Sequence, residues 1–89
     1  MRFDEIKEEV YDIVVATPRS GSFLEGSSLP YKEARQKLIR TFEAYKVPMF
    51  REEPQNVDWE WMNDDQVKLT NSRTGVVIFF WLRNASNKQ

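Results

Sequence analysis

Val57-Asp-Trp-Glu-Trp-Met62, then Asn63-Asp64-Asp65, then Gln66-Val-Lys-Leu-Thr70, then Asn71-Ser72-Arg73-Thr74-Gly75, then Val76-Val-Ile-Phe-Phe-Trp-Leu82 reads as three strands and two turns. The first and second runs alternate apolar and polar residues, as half-buried strands do. Asn63 to Asp65 is a turn cluster, because Asn and Asp tolerate left-handed backbone and bond their own main chain. The last run is apolar without a break and rich in β-branched and aromatic residues. The expectation is a three-stranded antiparallel meander with strands at about 57–62, 66–70 and 75–82.

Register follows from the turn. Centring the first turn on Asp64 sets Trp61 opposite Val67, Trp59 opposite Leu69 and Glu60 opposite Lys68. Apolar then meets apolar and acid meets base. Through the second loop, Leu69 meets Val76 and Val67 meets Ile78. One face collects Trp59, Trp61, Val67, Leu69, Val76 and Ile78, with Phe80 and Leu82 beyond. The opposite face carries Glu60 and Lys68, but also Met62, Val77, Phe79 and Trp81. The last strand is therefore apolar on both faces. Either the segment bearing Phe23, Leu24 and Leu29 covers its outer side, or that side is left for a partner or a second copy. Arg73 and Arg83 bracket the run, as charged residues that guard against aggregation do.

Working outward, the N-terminal residues Phe3, Ile6, Val10, Ile13 and Val14 fall on one helical stripe, with most of the acids off it. The spacing predicts a first helix over about 2–16, stopped by Thr17-Pro18, the alternative being a strand over Tyr11 to Ala16, since Ile13-Val14-Val15 favours it. Residues 17–29 hold two Gly and four Ser with no periodicity and predict a loop. A second helix over about 30–46 is predicted from Pro30 at its first turn, Ser28 as its cap and Pro48 at its end. Its stripe is Tyr31, Ala34, Leu38, Phe42 and Tyr45. Residues 84–89 read as a frayed polar tail. The expected fold is a single α+β domain of order α-α-β-β-β, two helices on one face of the meander.

Composition limits the chemistry. The chain has 89 residues, 40% hydrophobic and 30% charged, with 13% aromatic. One domain of this length supports one modest core. There is no Cys and no His, so thiolate chemistry, disulfides and the commonest general base and metal ligand are excluded. No run approaches membrane-spanning length, and the acidic N-terminus is unlike a signal peptide. A cytoplasmic protein without metal or cofactor is expected. The formal net charge of -1 conceals blocks. Residues 52–65 hold six acidic and no basic side chains, and residues 66–89 hold four basic and no acidic ones. The acids at 52–65 lack calcium-loop spacing and read as solvated turn and strand residues.

The function these features predict is a small non-enzymatic interaction or regulatory module. It would bind a protein partner or itself, as a homodimer, through Met62, Val77, Phe79 and Trp81. The alternative is nucleic-acid binding. Helix 30–46 would contribute Lys32 and Arg35, with the hairpin tip at Arg73 as a wing, or Phe79 and Trp81 would stack on unpaired bases beside Lys68 and Arg83. The near-neutral balance argues against it. The order of two helices followed by a meander resembles that of small ribonuclease toxins of the RelE type. That resemblance lies in element order alone and would imply a ribonuclease. Those toxins also begin with a strand and carry arginine-rich sheet motifs, which this sequence does not match.

Overall fold

The computed structural model describes residues 9–86. Its elements are β1 (Val10–Thr17), β2 (Gly21–Pro30), α1 (Tyr31–Glu52), β3 (Val57–Asn63), β4 (Gln66–Asn71) and β5 (Val76–Asn84). The strands form one five-stranded sheet in the order β2-β1-β5-β4-β3, with every neighbouring pair antiparallel. The helix packs on one face. This α+β fold, of order β-β-α-β-β-β, replaces the expected two helices on a three-stranded meander. The likeness in element order to the ribonuclease toxins disappears with it.

The helix expected over 2–16 is overturned from Val10 onward, and its residues 2–8 lie outside the described residues. Val10-Tyr-Asp-Ile-Val-Val-Ala-Thr17 is dominated by β-branched and aromatic residues, and as β1 it lies between β2 and β5. Four successive residues, Asp12 to Val15, are buried, a pattern a one-sided helix cannot produce. A short apolar run fits either period, and pairing with β5 decides between them.

The expected loop at 17–29 is a turn at residues 18–20 followed by β2. Its pairing with β1 is irregular on either side of Ile13. Ser28 adopts a positive φ of 56° there, and its N–H donates to Asp12 Oδ1 at 3.0 Å. Ser28 therefore belongs to the sheet, and the helix begins after Pro30 without a side-chain cap.

Helix α1 runs six residues past the expected end, through Pro48. Proline costs the helix an internal hydrogen bond, but the turn beyond it has packing to gain. Met49 packs against the core cluster, and the Phe50 ring meets Trp59 edge-on with centroids 5.6 Å apart. The Glu53 N–H then closes the end on the Met49 carbonyl at 3.0 Å.

Strands β3 and β4 pair as Trp59–Leu69, Glu60–Lys68 and Trp61–Val67. Strands β4 and β5 pair as Leu69–Ile78 and Val67–Phe80, two residues from the expected register. The cause is a turn of the same length placed one residue later, at 72–75 instead of 71–74. Asn71 pairs with Val76, and its Oδ1 accepts the N–H groups of Arg73 (2.9 Å) and Thr74 (3.3 Å). A shift of two leaves every side chain on its face. The core accordingly lies between α1 (Ala34, Leu38, Phe42) and the sheet (Ile13, Val15, Val67, Leu69, Ile78, Phe80).

Candidate interaction surface

The candidate surface is the sheet face turned away from α1. Strand alternation and the observed pairings arrange it in rows across the sheet. One row runs Leu24, Val14, Trp81, Gln66. The next runs Ser22, Ala16, Phe79, Lys68, Glu60. A third runs Val77, Thr70, Asp58. Central strand β5 thus places Val77, Phe79 and Trp81 in the middle of the face, and all three are half-buried. Val14 is buried beside them, and Leu24 stands 46% exposed.

The surface has polar flanks. At the start of β1, Arg83 donates to the buried Asp12 carboxylate at 2.7 Å. On the far side Lys68 lies 4.0 Å from Glu60. Both signs of charge therefore border one apolar stripe.

Val77, Phe79 and Trp81 come together as grouped, whereas Met62 does not join them. It lies at the register irregularity between Trp61 and Asn63 on edge strand β3, with β4 between it and β5, and is 44% exposed. Neither does the 17–29 segment cover the patch. Phe23 and Leu29 pack against the core cluster. The outer backbone edge of β5 is occupied by β1, so this strand has no free edge for a partner strand. Two members of the surface, Val14 and Leu24, escape a reading that places them in a helix and a loop. The unbroken apolar run of β5 was the available signal, because a strand of that kind wants a neighbour on each side.

Of the cations singled out for nucleic acid, Lys68 and Arg83 flank the apolar stripe, whereas Arg73, Arg35 and Lys32 lie elsewhere. Arg73 forms a fork with Glu53, Nε to Oε1 at 2.8 Å and NH2 to Oε2 at 2.6 Å. This fork, together with Asn56, holds the Glu53 carboxyl down at about 2. Arg35 lies over the Trp61 ring, 5.6 Å from its centroid, and 3.9 Å from Asp65. Lys68 and Arg83 face the carboxylates already named, and Lys32 is exposed on α1. Among the described residues, no three His, Cys, Asp or Glu side chains are grouped to hold a metal ion. None of the described helices is long and apolar enough to cross a membrane.

A second aromatic grouping lies where α1 meets β3. Phe42 contacts Trp59, Trp61 and Phe80 edge-on, and Lys46 Nζ sits 4.4 Å above Trp59. Trp61 and Phe50 remain exposed at its rim. No family model matches the chain, and no curated protein and no solved structure matches it. The class that fold and surface define is a small α+β protein whose antiparallel sheet is covered by a helix on one face.

Proposed function

We propose that this protein is an interaction module whose sheet face turned away from α1 closes against a second copy of the chain. The observation that carries the reading is the row of half-buried apolar side chains on central strand β5, Val77, Phe79 and Trp81. Central position accounts for the paired backbone of β5, but not for aromatic side chains on the face without the helix. Clustered aromatics at a surface favour association, since each removes much apolar area from water.

A like partner suits the surface. An isologous interface must complement itself, and this stripe is bordered by Lys68 and Arg83 on one hand and Asp58 and Glu60 on the other. With a net charge of -1, two copies meet little long-range repulsion. Nucleic acid is the less favoured partner, because Arg73 and Arg83 are held by carboxylates at 2.6 and 2.7 Å.

Solution mass across a concentration series is the test. The wild type is expected to reach a dimer, and Phe79→Ala and Trp81→Ala to remain folded monomers. A wild type that stays monomeric at every concentration overturns the reading without recourse to any variant.

A further inference from the structure

Strand β3 is one edge of the sheet, and its two sides are chemically distinct. Asp58 and Glu60 lie on the side turned away from α1, both exposed. Trp59 and Trp61 lie on the helix side, where Phe50 extends the aromatic surface at 5.6 Å from Trp59. The edge is regular up to Trp61, before the irregularity at Asn63, and contains no Pro, so its backbone can pair, while the Asp58 and Glu60 charges deter edges that do not complement them. The opposite edge, β2, is interrupted by shifted pairing and a positive φ at Ser28. Along β3 the Trp59 N–H donates to its neighbour Asp58 at 3.0 Å, a local acceptor that an incoming carbonyl can replace. A shallow cleft of about 470 Å³ lies over the face of the β3–β4 pair on the Asp58 and Glu60 side, lined in part by Lys68 and Thr70.

We propose that the β3 edge captures an extended peptide strand of another protein, one that alternates basic with apolar residues. Added strands gain main-chain hydrogen bonds, and alternate side chains set their specificity. Basic side chains of the partner would lie beside Asp58 and Glu60, and its apolar ones beside Trp59 and Trp61. Charge decides against a second copy in this position. Antiparallel pairing of β3 with itself that keeps both sheet faces in register sets the Asp58 and Glu60 row against its own copy, and like charges directly opposite are destabilising. Nor does β2 match, since Gly21–Pro30 contains Glu25 and no basic residue. Glu60 stays available to a new cation, because its contact with Lys68 is a long 4.0 Å and its side chain is 69% exposed.

The probe is a fluorescent nine-residue peptide of alternating lysine and valine, titrated against the whole chain. Saturable binding that weakens with salt is expected, with Glu60→Lys weakening it at least about tenfold. Asp58→Lys, also at an exposed position, provides a second charge reversal should the first fail to fold. The same peptide N-methylated at alternate residues keeps its charge but cannot pair with a strand edge, and it is expected to lose binding. Equal binding of the methylated peptide reduces the contact to plain charge attraction and overturns the proposal, as does an absence of binding by the parent peptide. Asp58 and Glu60 also border the proposed dimer surface, so the control is Trp81→Ala, at the centre of that surface, which is expected to leave peptide binding unchanged.

Discussion

Phe79 and Phe80 are neighbours in sequence and identical in chemistry, yet they belong to opposite faces of one sheet. Phe80 is fully buried beneath α1, with the rings of Phe42 and Tyr45 at 5.6 and 5.3 Å. Phe79 faces away from the helix, between Ala16 and Lys68, and is half-buried. The covered face is fixed by interlocking contacts and reports on folding. The open face has the same residue type without that enclosure and is the one suited to association.

Truncating the two phenylalanines separates these roles most strongly. Phe80→Ala opens a cavity in the core and is expected to cost about 3–5 kcal/mol, a large part of the stability of a domain this small. Phe79→Ala is expected to cost about 1 kcal/mol while lowering the solution mass. Denaturant melts beside light scattering measure both. Equal losses of stability would mean that the two faces are enclosed alike, and would break the comparison.

Gly26 probes the covered face from its edge. A Cβ there would lie 2.9 Å from Ile13 Cδ1 and 3.0 Å from Lys37 Cδ and Cε. The lysine can swing aside, but the isoleucine is wholly buried. Crowding of this kind costs about 1–3 kcal/mol, against about 0.4–1 kcal/mol gained by restricting the unfolded chain. Gly26→Ala is therefore expected to lower the melting temperature with no change in solution mass. A stabilised variant would show that the β2 edge yields freely and does not belong to the rigid face.

The same contrast explains what could be read from the sequence. In β3 and β4 several signals agree: Trp59 and Trp61 find Leu69 and Val67, and Glu60 finds Lys68, all in one register. The stripe of α1 was equally legible, and Ala34, Leu38 and Phe42 are its buried residues. Strand β1 was not, because Phe3, Ile6, Val10 and Ile13 satisfy a helical period while Ile13-Val14-Val15 satisfies a strand. Pairing with β5, from Tyr11 with Asn84 to Ala16 with Phe79, resolves it, and no local pattern contains that information. Strand β2 was hidden for another reason. Gly21–Pro30 is a mostly exposed edge, extended because its backbone pairs with β1 rather than because its side chains alternate. Of the candidate surface, Val77, Phe79 and Trp81 were visible as an apolar run. Val14 and Leu24 became visible only with the two strands that carry them.

The smallest expected effect concerns the clamp at the rim of the covered face. The fork between Arg73 and Glu53 ties the β4–β5 turn to the end of α1, and with Asn56 it lowers the Glu53 carboxyl from 4.5 to about 2. A carboxyl depressed in the folded state binds its proton more readily once unfolded, so its stabilisation is present above about 4.5 and lost as pH falls through about 2. Arg73 is 59% exposed, so salt screens the pair and its contribution is small. Glu53→Gln is expected to melt slightly below the wild type at neutral pH, with the gap closing as pH approaches 2. Melting curves at matched ionic strength across that range measure it. A gap independent of pH would assign the effect to packing at the helix end rather than to the charged fork. The rim would then be held as the interior of the covered face is, by shape.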